Sequence, residues 1–339
     1  MALLARFLIA TDAEKTFHKG GMQMTASRNR VAAVFPGQGA QRPGMGRDFH
    51  DRAAVCRETY EEASDALGWD VAAMCFGNDE RLDRTEYTQP CLLTTELAMF
   101  RGLCELHGIH PSLYGGHSLG EFTALVAAGV IPLSDAVRIV QSRGRLMQEA
   151  APAGLGGMAA VIADALDADD LDHALSDLPV DIANVNSPKQ IVLSGAAEAL
   201  SEAAVRIVDV LEEGRPFRFV PLNVSAPFHS RFMRCVEGEF SRILQSLSER
   251  MDAKKAVAVT SNFTGGFHET NPDDLLSALT CQIGSRVRWV DNMEAIAAEA
   301  DRIYEIGPAR PLREFFKSID VHCLSVTTLS SASRLFGSN

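Results

Sequence analysis

The chain has 339 residues, 46% apolar and 22% charged, with a mean hydropathy near zero. That composition excludes collagen-like, coiled-coil and wholly disordered chains, and the length suits one large domain or two interdependent ones. With 32 basic and 44 acidic side chains the net charge is −12, so no basic footprint for nucleic acid is present, although an acidic surface is compatible with a local basic pocket for an anion.

Residues 1–30 read as an N-terminal extension. MALLARFLIA is apolar but short, carries Arg6, and lacks the basic start of a signal peptide. No apolar run reaches the roughly 18 residues of a membrane span. From Val31 the pattern is α/β. Val31–Phe35 is a short apolar run stopped by Pro36-Gly37, which predicts a buried strand feeding a tight loop. Asp51–Leu67 and Thr88–Leu106 have apolar residues at helical spacing. Glu121–Ala128 predicts a helix ended by Gly129, and Asp135–Glu149 another, with Ser134 as its N-cap.

From Gly154 to Asn223 the rhythm changes. Strands are predicted at Met158–Ile162, Val180–Ala183, Gln190–Ser194 and Phe217–Val220, with helices at Leu166–Leu178 and Ala197–Glu213. The order β-α-β-β-α-β is that of a ferredoxin-like unit. Further strands are expected at Val257–Ser261, Arg302–Ile306 and Cys323–Thr327. The expected fold class is α/β: an α/β-hydrolase-like body over 31–153 and 224–330, a ferredoxin-like (βαββαβ) subdomain inserted over 154–223, and a tail over 331–339.

Seven scattered cysteines, odd in number and never spaced C-x-x-C, fit a reducing cytoplasm better than a disulfide framework. No metal site is expected, because Cys104, His107 and His110 have no distant second ligand pair.

The sharpest chemical signal is Gly116-His-Ser-Leu-Gly120. A serine on a tight strand-to-helix turn needs glycine neighbours, and the turn sets its Oγ in the open at a helix N-terminus, where free N–H groups favour developing negative charge. Ser118 is then the candidate nucleophile, and the amide of Leu119 a donor to a tetrahedral oxyanion. A glycine-rich turn with a capping serine is the bland alternative, disfavoured by the helix-forming residues directly behind it. The serine needs a base. Among nine histidines, His229 stands out in Val224-Ser-Ala-Pro-Phe-His-Ser230, a loop at a subdomain junction, where clefts form. His117 is expected to turn its ring away from Ser118 and hold the turn. No acidic third member stands out, and a main-chain carbonyl would suffice to fix the histidine tautomer.

Four motifs in order, Phe35-Pro-Gly-Gln-Gly-Ala-Gln41, Gly116-His-Ser-Leu-Gly-Glu121, Arg143-Gly-x-x-Met-Gln148 and Ala226-Pro-Phe-His229, resemble the malonyl-CoA:acyl-carrier-protein transacylases of fatty-acid and polyketide synthesis. The likeness runs from about Val31 to Leu312. It implies that Ser118 takes the acyl group from coenzyme A as an ester, that His229 is the general base, and that the Gln38 N–H completes the oxyanion hole with Leu119. It further implies that Arg143 pairs with the free malonyl carboxylate, a geometry that guanidinium supplies.

By the same resemblance, Phe228 narrows the space beside the acyl α-carbon and goes, with Leu119, with malonyl over methylmalonyl, while Met147 lines the pocket or the core. Asn184, Asn186 and Gln190 match polar positions near coenzyme A, with turn-forming asparagines as the alternative. Arg288 falls where the family's main-chain carbonyl fixes the histidine, in an altered motif. The implied partners are malonyl-CoA and a phosphopantetheinylated acyl carrier protein, with coenzyme A thioester as substrate and no permanently bound cofactor. Arg231 and Arg234 are candidates to dock the carrier's acidic surface. The alternatives are a hydrolase that clears carrier proteins, which would have no need of Arg143, a transferase for another acyl unit, and a non-catalytic docking module.

Overall fold

The computed structural model describes residues 29–151, 154–211 and 216–337. Two four-stranded sheets organise them. The first contains β1 (Val31–Phe35), β2 (Leu113–Gly116), β7 (Arg302–Ile306) and β8 (Cys323–Val326), all parallel in the order β2-β1-β7-β8. Alternation explains why β1 is apolar throughout. Ala33 and Phe35 face the largest core, while Ala32 and Val34 face a second one around Trp289, Met293 and Phe316. A parallel strand covered on both faces has no solvent side to keep polar.

The second sheet holds β3 (Gly156–Ile162), β4 (Val180–Ser187), β5 (Gln190–Ala196) and β6 (Arg218–Pro221), antiparallel in the order β4-β5-β3-β6. Helices Ala168–Ala174 and Ala197–Val210 pack on one face around Leu171, Leu193, Ala203 and Ile207. The α/β class and the ferredoxin-like order expected from the sequence are what the chain forms. The remaining helices cover the parallel sheet. Chief among them is the 23-residue helix Thr85–His107, buried along most of its length.

Three local expectations are corrected. Val257–Ser261 is not a strand: a 3₁₀ turn covers Ala253–Ala258, and only single bridges join Val259 to Tyr114 and Thr260 to Phe267, because the chain then turns in to place Asn262 behind Ser118. Ser134 does not cap its helix. The helix runs Leu133–Glu149 from Pro132, whose fixed φ of −60° already suits a helix start. Residues 331–339 are not simply a tail: Leu329–Phe336 is a helix begun by a capping box between Thr328 and Ser331, with Ala332 buried. The extension expected over residues 1–30 lies outside the described residues up to position 28. Among the described residues, no helix is long and apolar enough to cross a membrane.

Candidate active site

The chain leaves β2 through His117 and enters the helix Leu119–Ala127 with Ser118 at φ 52°, ψ −101°, a conformation that non-glycine residues rarely adopt. The flanking glycines are forced by contact. A Cβ on Gly116 would collide with the backbone of Gly120, and one on Gly120 with the carbonyl of Phe35. The elbow is therefore folded tightly on itself and against β1. It is also held from outside. The Ser118 N–H donates to Asn262 Oδ1 (2.6 Å), and the Ser118 carbonyl accepts from Gln282 Nε2 (3.0 Å).

His229 comes from the loop after β6, itself at φ 56° and almost fully buried. Its Nδ1–H donates to the main-chain carbonyl of Gln282 (2.9 Å), which leaves Nε2 to accept from Ser118 Oγ at 2.7 Å. The carbonyl orienter foreseen from the sequence exists, but it belongs to Gln282. The Arg288 carbonyl instead accepts from the Asn292 N–H (3.1 Å), and its side chain reaches Asp291 (2.6 Å) and the Thr264 carbonyl (2.9 Å). Burial, then the nearby positive charge of Arg143, pushes the imidazole down to about 3, so it is neutral and free to take a proton at physiological pH.

Arg143 reaches the same point from the helix Leu133–Glu149. It is 1% exposed. Its terminal nitrogens donate to Gln89 Oε1 (2.9 Å), Gln282 Oε1 (2.8 Å) and Ser118 Oγ (3.2 Å), all neutral acceptors, and its Nε has no partner among the described residues. Burial lowers its pKa to about 10, which still leaves it charged. This buried cation is hydrogen-bonded only to amides and a hydroxyl, with the Glu121 carboxylate acting on it from behind Gln282 and not as a direct ion pair, and it faces the cavity.

That cavity, about 460 Å³, lies between the two sheets' subdomains and brings together the catalytic, carboxylate-binding, acyl-pocket and coenzyme A residues expected from the sequence, but not Arg231, Arg234 or Arg288. Gln38, Ser118, Leu119 and His229 stand at its reacting end, and among the described residues neither the Gln38 nor the Leu119 N–H has an acceptor. Arg143, Met147 and Phe228 form its deep wall. Asn184, Asn186 and Gln190 line it from β4 and β5, so the asparagines are strand residues and not turn formers. His117 holds that wall: its Nε2–H donates to Asn186 Oδ1 (2.7 Å), and Asn186 Nδ2 donates to Gln190 Oε1 (2.8 Å).

A buried network behind the serine was not read from the sequence. Glu121, fully buried in the first turn after Ser118, accepts from Gln282 Nε2 (2.7 Å), the Asn262 N–H (3.0 Å) and His268 Nε2 (2.8 Å). Asn262 Nδ2 donates to the Gly116 carbonyl and to Asn292. The available signal was Glu121 itself, a charge among the apolar residues of a short helix.

Comparison with known proteins settles the family. The chain matches the acyl transferase domain over residues 33–265. It is 37% identical over 313 residues to the malonyl CoA-acyl carrier protein transacylase of Staphylococcus aureus, covering 89% of this chain and 96% of that protein. The chain belongs to the acyl transferase family. The Escherichia coli protein of the same name is 38% identical, covering 90% of this acyl transferase and 97% of its relative. Among solved structures, the Xanthomonas oryzae malonyl-CoA:acyl carrier protein transacylase superposes on the acyl transferase with a TM-score of 0.83 at 36% identity, covering 91% and 98% of the two chains. A malonyl-transacylase in complex with its type II polyketide acyl carrier protein does so with a TM-score of 0.83 at 34% identity, over 91% and 100%.

Proposed function

We propose that this acyl transferase moves a malonyl group from malonyl-CoA to the phosphopantetheine thiol of an acyl carrier protein through a seryl ester, in fatty-acid or polyketide synthesis. The relatives named above carry that activity in their names. The observation that carries the reading to this chain is Arg143, a buried guanidinium with no direct ion pair among the described residues, one hydrogen bond from the serine oxygen.

In the first half-reaction Ser118 Oγ attacks the thioester carbonyl while His229 Nε2 takes its proton. The oxyanion forms against the N–H groups of Gln38 and Leu119. The C–S bond then breaks, and His229 returns the proton to the departing coenzyme A thiolate. In the second half-reaction the carrier's thiol gives its proton to His229, the thiolate attacks the ester carbonyl, the C–O bond breaks, and Ser118 recovers the proton. The malonyl carboxylate lies on Arg143 throughout. Its negative charge offsets one cause of the depressed histidine pKa, so a substrate of the right charge raises the basicity of the base beside it. An uncharged acyl group brings no such help.

Phe228 closes the deep end where an α-substituent would sit, and Asn184, Asn186 and Gln190 offer polar contacts to the pantetheine arm. Coenzyme A thioester is a substrate here and no resident cofactor is needed. The seven cysteines are all free thiols, which suits the cytoplasm as the setting. Hydrolysis as the main activity gives Arg143 no purpose.

The test is intact-protein mass spectrometry after incubation with a panel of acyl-CoAs, with and without holo carrier protein. The expected result is a malonyl adduct in preference to acetyl or methylmalonyl, discharged only when carrier is added. Phe228→Ser is expected to admit methylmalonyl. Discharge by water at the same rate as by carrier would replace the transferase reading by the hydrolase one.

A further inference from the structure

Across the helix Pro311–Lys317 from the substrate cavity lies a second concavity of about 500 Å³. It runs along β8, the outer strand of the parallel sheet, between that helix and the C-terminal helix Leu329–Phe336. Arg310, Arg313 and Lys317 line one side, Arg334 the other, and His322 the end, and no Asp or Glu among the described residues lines it.

What marks these cations is that they share one recess and are mostly unpaired, whereas several others on this acidic chain are held by a carboxylate. Arg81 is held by Asp79, Arg231 by Asp181 and Arg288 by Asp291. Arg310, Lys317 and Arg334 form no ion pair with another described residue, and Arg313 meets only the exposed Glu314 at 3.1 Å. The nearest buried carboxylate, Glu305, already accepts from the Leu312 and Arg313 amides and from the Ser325 hydroxyl. Like charges gathered in one recess of a chain with net charge −12 leave a local positive field that Glu314 and Glu305, the carboxylates beside Arg313, offset only in part.

We propose that this groove is a second binding site, taking a small anion that bears two or more phosphates. Guanidinium forks match phosphate oxygens bidentately, and several cations around one recess match a polyanion better than a single carboxylate. The recess is concave and of the size that holds a small molecule, which favours a ligand of nucleotide dimensions over a flat protein face. Pro311, Leu312 and Phe315 line the substrate cavity while their neighbours Arg310, Arg313 and Lys317 line the groove. An occupant therefore sits one helix away from the reacting groups. Two sources share this chemistry: the phosphates of coenzyme A itself, and a free phosphorylated metabolite.

The experiment is calorimetric titration of the full chain with inorganic pyrophosphate and with ADP at low ionic strength, for wild type and for the double variant Lys317→Gln, Arg334→Gln. Both positions are exposed, so the fold tolerates the changes. Wild type is expected to bind both probes, with binding weakened by salt and by about tenfold or more for each cation removed. Loading kinetics separate the sources. A raised KM for malonyl-CoA but not for malonyl-pantetheine assigns the groove to coenzyme A phosphates, and an unchanged KM for both assigns it to a free metabolite. Absence of pyrophosphate binding in wild type, or equal binding by the double variant, overturns the proposal. So does a variant whose sole defect is a raised KM for carrier protein, which would make the groove a protein dock. The titration does not depend on the malonyl assignment, so the two readings fail separately.

Discussion

The floor of the substrate cavity and the exposed surface outside it two residues past His229, here called the rim, treat arginine in opposite ways. At the rim Arg231, half-exposed, is forked onto Asp181 at 2.7 and 3.0 Å, so its charge is answered within the protein. On the floor Arg143 is sealed from water and bonded only to neutral groups. The rim pair is complete without a ligand. The floor is not, and that incompleteness is what gives the floor a preference for a charged acyl group.

The largest effect is expected at the serine. Ser118→Ala removes the hydroxyl hydrogen-bonded to His229 and abolishes the malonyl adduct seen by intact mass; a persisting covalent adduct would move the chemistry elsewhere. Next comes the floor. Arg143→Ala is expected to lower malonyl loading by about 10²-fold, the cost of two charge-assisted hydrogen bonds, while acetyl loading falls far less. Equal losses for both acyl groups would mean that Arg143 merely supports the fold.

The pH profile sharpens the same contrast. The folded-state pKa of His229 is pushed down to about 3, so malonyl loading is expected to stay level through pH 6.5 and to decline only in stronger acid. Removing the Arg143 charge moves that decline upward. The sign for stability follows. The neutral histidine is favoured in the folded chain, so its contribution is present above pH 6.5 and is lost as pH falls toward 3. Glu305 acts oppositely: raised by burial to about 7, it stabilises below pH 4.5 and loses that contribution as pH rises through 7. Rapid-quench loading rates, with circular dichroism at each pH, separate activity from unfolding. The smallest effect is at the rim. An Arg231→Ala, Asp181→Ala double-mutant cycle is expected to give a coupling of about 0–1 kcal/mol in thermal denaturation, with malonyl loading unchanged.

The reacting residues were legible because their chemistry imposes local sequence. An elbow that admits no Cβ at positions 116 and 120 must be written with glycine, and a loop histidine beside proline stands out among surface histidines. Seven of the eight described strands were legible from period and β-propensity, whereas Leu113–Gly116, four residues of which two are glycine, was not. Asn262, Gln282 and His268 were not, because their roles arise from contacts across 141 to 164 residues of chain, and nothing in their neighbours marks them. His268 looked like one more histidine in a polar stretch, yet it is buried against Glu121. The 3₁₀ turn at Ala253–Ala258 escaped for a related reason: alternating alanine and valine satisfy a strand pattern, while the placement of Asn262 decides otherwise.

Gln282 carries two duties in different parts of one residue. Its carbonyl steadies the base, whatever side chain it bears, while its amide group supports the guanidinium and the nucleophile's backbone. A descendant of this chain could therefore abandon carboxylated substrates by changing positions 143 and 282 together and still inherit a working serine and imidazole. A paired Arg143→Ala, Gln282→Leu variant that loads acetyl units would retrace such a divergence.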